Sequence, residues 1–179
     1  MTEQLKIDFD KIVKTSDFSD SQVKLKKEYL NKFIENGFPN RKHENWKFSD
    51  ISQIIQKNIG ELSFYNDYSS SNKIDTSIFI DKLEHNKIVF MNGRVEKIDF
   101  DHEDKNKIEI NEDSNIYNQF KNNNSLIDLN NAFTNKSYKI LIKKDYFLKK
   151  PLIVYHITSN TVKSKNINLR LEFQLEENS

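Results

Sequence analysis

The segment that most constrains this chain lies near its last residues. Ile167, Leu169, Leu171, Phe173 and Leu175 alternate strictly with Asn168, Arg170, Glu172, Gln174 and Glu176. That period of two puts one set of side chains on each face of a β-strand. The apolar face carries five large residues, and only four residues follow Leu175. A strand exposed in this way is prone to pair and aggregate unless something manages it. Either a partner covers the face, or the chain is the front of something longer.

The preceding residues supply a framework of helices and strands. At 179 residues the chain is long enough to bury a core without disulfides. Residues 1–17 are polar with scattered apolar positions and fit either a short helix or loose chain. A helix is expected from Ser19 to Asn36, capped by Ser19 or Asp20 and stopped by Gly37 and Pro39. Its apolar positions are Val23, Leu30, Phe33 and Ile34, with Leu25 and Tyr29 beside them. A turn over 39–48 leads to a second helix capped by Ser49 or Asp50, with Ile51, Ile54 and Ile55 inward. Residues 60–77 are expected to be a loop, and 75–83 is ambiguous between helix and extended chain. Asn92-Gly93 between Ile88-Val89-Phe90-Met91 and Arg94-Val95-Glu96-Lys97-Ile98 is a type I′ hairpin signature, since both central residues need positive φ. Residues 99–113 are acidic, and the cluster Asp99, Asp101, Glu103 and Asp104 within them is expected to be solvated loop. Short helices are expected at 114–120 and 125–133, and strands at 138–142, 151–157 and 167–175. The triple Asn at 122–124 is taken as loop without special chemistry, in a chain holding 25 Lys, 23 Asn and 21 Ile.

Several chemistries are excluded or poorly supported. The absence of cysteine removes disulfides, thiolate metal ligands and a Cys nucleophile. Three glycines, Gly37, Gly60 and Gly93, stand too far apart to form a phosphate cradle. The four histidines, His43, His85, His102 and His156, show no metal-ligand spacing. Asp99, Asp101, Glu103 and Asp104 fail as a calcium loop, because Asp104 stands where glycine is needed and Ile110 where a bidentate Glu belongs. No apolar run has transmembrane length and the first residues have no signal-peptide core, so a soluble cytoplasmic protein is expected. With 28 basic and 27 acidic residues the total charge is nearly balanced, but residues 136–170 hold nine Lys/Arg and one Asp. Tyr138, Tyr146, Phe147 and Tyr155 interleave with them, so a nucleic-acid face is one reading. A solvated β surface, or a match with the acidic segment, is the other. Trp46, the single tryptophan, reads as a corner residue locking two helices.

Four segments resemble a known family. Gly37-Phe38-Pro39-Asn40-Arg41-Lys42-His43-Glu44-Asn45-Trp46-Lys47-Phe48-Ser49-Asp50 resembles the G-[FL]-P-x-R-x-x-E-x-W-K-[YF]-[TS]-[DN] segment of SufD. Ile88 to Arg94, with Asn92, Gly93 and Arg94, is similar to the family's VFVNGR hairpin. Leu129-Asn130-Asn131-Ala132-Phe133 is similar to LNxAF, and Lys149 to His156, with Pro151, to the xxPIxLxH strand. The last nine residues look like the start of the family's β-helix. The match covers about residues 24–179, with Asn135-Lys136 where the family commonly has an Asp-Gly turn.

The resemblance implies an α+β fold. An N-terminal helical region with a β-hairpin (residues 1–134) would lead into the first coils of a right-handed parallel β-helix (residues 135–179). It implies an organisational role in the SUF iron–sulfur cluster assembly complex beside SufB-like and SufC-like subunits. No catalytic or cluster-binding residue carries over to this segment, and no cofactor is expected in it, although the complex handles iron–sulfur clusters. A solenoid core forms only when coils stack, so the strands expected here would supply one or two coils of an unfinished core. The alternative is a stand-alone module contacting nucleic acid through the 136–170 face. A hydrolase using His43 or His156 has no supporting constellation.

Overall fold

The computed structural model describes residues 2–58, 62–64, 74–100, 105–112, 124–162 and 165–179. The helix expected at 114–120, His102, three of the four loop carboxylates (Asp101, Glu103, Asp104) and Asn122 and Asn123 lie outside the described residues. The fold is mixed α and β. It divides into two compact units, one of Met1–Asn66, Tyr117–Asn135 and Ser164–Leu169, the other of Asp67–Ile116, Lys136–Lys163 and Arg170–Ser179. By packing, the hairpin segment therefore belongs with the later strands. No helix of the described residues is long and apolar enough to cross a membrane.

The first unit is built on four helices: α1 (Thr2–Thr15), α2 (Asp20–Asn36), α3 (Ile51–Asn58) and α4 (Ser125–Phe133). The N-terminal segment is thus fully helical, and its Leu5, Phe9 and Ile12 are buried at helical spacing. Ser19 caps α2 in a reciprocal box with Gln22: Gln22 N–H donates to Ser19 Oγ, and Ser19 N–H donates to Gln22 Oε1 at 2.8 Å. Asp50 caps α3, accepting from Gln53 N–H at 3.0 Å. Asn124, expected to be inert, caps α4 by accepting from Leu126 N–H at 3.0 Å. The correction has a simple cause: asparagine is among the best N-cap residues, and an apolar helix follows it directly. Ile51 and Ile55 pack against the core as expected, but Ile54 is 50% exposed. Phe133 is the aromatic centre of this core, stacked on Phe64 at 3.6 Å between centroids and edge-on to Phe9 at 6.2 Å.

The buried face of α2 holds Tyr29, Leu30, Phe33 and, unexpectedly, Lys26. Lys26 is 1% exposed. Its Nζ donates to the backbone O of Asn131 at 3.3 Å and to that of Thr134, and lies 4.5 Å from the Phe18 ring centroid. The last carbonyls of a helix have no partner within it and carry negative partial charge, so a cation suits the end of α4.

The second unit has two three-stranded sheets. One is ordered β2-β1-β5, from β1 (Asn86–Met91), β2 (Arg94–Asp99) and β5 (Leu152–Ile157). The other is ordered β3-β4-β6, from β3 (Ile108–Glu112), β4 (Lys136–Ile142) and β6 (Leu169–Leu175). Asn92 (φ 51°) and Gly93 (φ 84°) form the expected hairpin between β1 and β2. Strand β1 also pairs in parallel with β5, Asn86 opposite Leu152 through Met91 opposite Ile157. Buried on both sides, its Ile88, Val89 and Phe90 are 0% exposed. Asp99, expected in a solvated loop, ends β2, and the acidic stretch holds a strand for which no secondary structure was expected, β3, antiparallel to β4 with Ile110 opposite Ile140. Its Ile108 is buried and Glu109 and Glu112 face lysines, so alternation overrode acidity. Residues 76–78 form a 3-10 turn capped by Asp75. Phe90 and Tyr138 join the two sheets edge-to-face, 5.2 Å apart. On β6, Phe173 is 49% and Leu175 62% exposed, so the far half of its apolar face is uncovered.

Two predictions follow from the first unit. Gly37, the residue after α2, has φ 66° and ψ −166°, while its N–H donates to Phe33 O at 2.7 Å. That region is open essentially to glycine alone, and an added Cβ would meet nothing within 4 Å, so the cost of a substitution is conformational. Gly37→Ala is expected to destabilise the unit by about 1–3 kcal/mol in a thermal melt, with no rescue by Gly37→Asn. Burial lowers the pKa of Lys26 to about 7. The unfolded chain keeps that proton up to the ordinary lysine range, so between these values it binds more protons than the folded one and stability rises with pH. Urea melts followed by Trp46 emission are expected to gain about 1 kcal/mol per pH unit above neutrality, and Lys26→Met to remove that slope.

Candidate functional site

Residues 40–49 form a run of tight turns. Asn40 starts it: Lys42 N–H donates to its Oδ1 at 3.0 Å and His43 N–H to its O at 3.0 Å. Trp46 N–H then donates to His43 O at 2.8 Å, and Ser49 N–H to Trp46 O at 2.9 Å, around the 3-10 turn Glu44–Trp46. Turns this tight satisfy the backbone locally and leave the side chains directed outward.

A cleft of about 470 Å³ opens in the first unit beside this run. His43, Glu44, Asn45 and Trp46 line one part of it, and Asn36 with Pro39 a second. Asn124 and Ser125, at the start of α4, complete the lining. Among the described residues Glu44 is the one carboxylate in the lining, and Trp46 is half-buried. His43 folds back on its own turn, with Nδ1 3.3 Å from both N and O of Asn40. Asn36 Nδ2 donates to Lys32 O at 2.9 Å, and Asn124 Oδ1 is occupied by the α4 cap. Phe48, next to the cleft-lining turn in sequence, is 90% exposed.

The family-like residues fall into distinct places. Pro39, Glu44 and Trp46 line the cleft, and Gly37 ends the helix leading to it. Arg41 and Lys47 are exposed on the same run. Asn130 Nδ2 donates to Leu169 O at 3.3 Å and its Oδ1 accepts from Asn168 Nδ2 at 3.0 Å, which fastens residues 168–169 to α4. Phe133 is core. In the second unit, Arg94 opens β2, and Pro151 precedes β5 with its O accepting from Asn86 N–H at 2.9 Å. Asn92 does more than permit a turn. Its Nδ2 donates to Ser159 Oγ at 2.8 Å, its Oδ1 accepts from Ser159 N–H at 2.9 Å, and its N–H donates to Ile157 O at 2.9 Å. The hairpin tip is thereby tied to the chain leaving β5.

The basic stretch 136–170 is largely paired. Lys136, Lys139, Lys143, Lys144 and Lys150 face Glu112, Glu172, Glu109, Glu177 and Glu84 respectively, all within the second unit. His156 stacks on Phe90 at 5.2 Å and is otherwise exposed. His85 is buried in a closed relay: Ile80 N–H donates to Tyr155 Oη at 3.2 Å, Tyr155 Oη lies 2.7 Å from His85 Nε2, and His85 Nδ1 contacts Leu83 O. Because Leu83 O can only accept, Nδ1 is the donor of that contact. Burial raises the Tyr138 phenol and, more than Lys32 opposes it, the Asp128 carboxyl. Among the described residues no group of three His, Asp or Glu side chains is arranged to hold a metal ion.

Sequence patterning missed Lys26 and the role of Asn124. Lys26 lies three, four and seven residues before Tyr29, Leu30 and Phe33, a spacing that marks it as inward despite its charge. No protein-family model matches this chain, and no curated protein matches it in sequence.

The double contact of Asn92 separates two roles by mutation. Asn92→Gly retains positive φ and loses both side-chain bonds. It is expected to cost about 1–2 kcal/mol and to speed hydrogen exchange at the Ser159 amide, which loses its acceptor.

Proposed function

We propose that this chain is the N-terminal portion of a SufD-like scaffold subunit of the SUF iron–sulfur cluster assembly complex, with an organisational rather than catalytic role. The observation that carries the reading is the path from β4 through β5 to β6. Strand β4 lies in one sheet, β5 in the other, and β6 returns to pair beside β4. Lys139 meets Glu172, and Glu176 N–H donates to Ile142 O, so partners advance together along β4 and β6, as in a parallel pair. Strands β1 and β5 are parallel in the other sheet. Two sheets whose parallel neighbours are joined by a path through the other sheet have the connectivity of a solenoid coil. On this reading β2 and β3, antiparallel at the outer edges, close the first coil, and the exposed Phe173 and Leu175 face the next. The right-handed parallel β-helix belongs to this proposal.

The positions of the family-like residues support it as well. Asn92 and Pro151 both tie the hairpin to β5, and Asn130 fastens the start of β6 to α4. Each thus bears on the geometry of the coil. The nucleic-acid reading of residues 136–170 is disfavoured by its five lysine–glutamate pairs, which leave less positive charge for phosphates.

The test is affinity capture of the tagged chain from cells that co-express the SufB-like and SufC-like subunits of its own genome. Retention of both subunits through a salt wash is expected. Clean recovery of the chain without either, under conditions where the other two still associate, would overturn the proposal.

A further inference from the structure

The run 40–49 carries positive charge that the protein does not use internally. Arg41, Lys42 and Lys47 are exposed and take part in no ion pair among the described residues, in contrast to the five paired lysines on and around the strands of the second unit. They flank, in sequence, His43 to Trp46, four consecutive residues lining the cleft. The lining itself is of another kind. Among the described residues it offers one indole, the carboxamide of Asn45 and the carboxylate of Glu44, while Asn36 Nδ2 and Asn124 Oδ1 are already engaged by Lys32 O and the α4 cap. The cleft therefore combines an aromatic surface and a planar hydrogen-bonding group, with three exposed cations close by in sequence, of which Lys47 lies 5.5 Å from the Phe48 ring centroid.

We propose that this cleft binds a nucleotide, with the base against Trp46 and the phosphate toward Arg41, Lys42 and Lys47. Aromatic side chains hold bases by stacking without demanding a sequence, and a carboxamide presents a donor and an acceptor side by side, the pattern that pairs with a base edge. A carboxylate accepts from ribose hydroxyls, as acidic residues do in dinucleotide sites. Arginine and lysine supply phosphate contacts. The cleft volume of about 470 Å³ lies within the usual range for small-molecule sites. This inference does not depend on the scaffold reading. The ligand chemistry, a base joined to a phosphate, is shared by a free nucleotide and by a nucleotide within a single strand.

Trp46 is the only tryptophan, so its emission reports on the cleft directly. The full chain is titrated with AMP, adenosine, inorganic phosphate and a short single-stranded oligonucleotide, with correction for nucleotide absorption. Saturable quenching by AMP is expected, with adenosine weaker by about tenfold or more through loss of charge-assisted bonds. Raising salt should erode the AMP advantage. An Arg41→Gln, Lys42→Gln, Lys47→Gln variant, altered only at exposed positions, should bind AMP and adenosine alike. Glu44→Gln should weaken AMP more than 2′,3′-dideoxy-AMP. An oligonucleotide that binds more tightly than AMP and competes with it would identify a strand as the source, and one that binds no better would identify a free nucleotide. Absence of saturable quenching by either AMP or the oligonucleotide, or unchanged AMP affinity in the triple variant while its circular dichroism matches the parent, overturns the proposal.

Discussion

The side-chain amine of Lys26 reaches from α2 to the last carbonyls of α4, across 105 residues of chain. Two helices distant in sequence are held by a hydrogen-bond donor placed where helix geometry leaves acceptors without partners. Burial disfavours the charged form and lowers the pKa to about 7, while the two carbonyls satisfy the amine as a donor. The contact fixes where α4 ends. Asn130, in the last turn of the same helix, in turn holds residues 168–169.

The strand unit depends on a different constraint. Strand β1 has neighbours on both sides, antiparallel β2 and parallel β5, and its central residues are sealed from water. A parallel pair needs a long connection, and the 60 residues between Met91 and Leu152 include β2, β3, α4 and β4. Asn92 and Pro151 secure the two ends of this pairing, at Ser159 and Asn86. Motif residues whose spacing suggested only turns and strand starts are therefore register locks. That is consistent with an organisational role, in which the surface presented matters more than any reactive group.

The two charged regions behave in opposite ways. On the strands, cross-strand placement brings Lys136 and Lys139 of β4, and Lys143 just after it, to glutamates of β3 and β6, and these charges are paired within the second unit. On the turn run 40–49, successive backbone hydrogen bonds close within the run, and the side chains of Arg41, Lys42 and Lys47 remain exposed. The sequence shows both as clusters of lysine and arginine. Only pairing in space separates a neutralised cluster from one open to a ligand.

Local rules made much of the fold legible from the residues alone. The Gly37 stop, the Asn92-Gly93 turn and the strict alternation of β6 each depend on a few adjacent residues and appear where the pattern placed them, and the caps of α2 and α3 fall on Ser19 and Asp50, each one of two candidates the sequence offered. What escaped the sequence was set at a distance. Lys26 is inside because α4 brings acceptors to it, β3 is a strand because β4 offers it a ladder, and the cleft exists because residues 36–46 and 124–125 meet. Helix caps and turns are closed by hydrogen bonds within a few residues, so sequence can determine them by itself, and the overlooked Asn124 cap was of this local kind. The burial of a charge, the pairing of an acidic strand and the lining of a cleft depend on partners far along the chain, and only tertiary structure decides those.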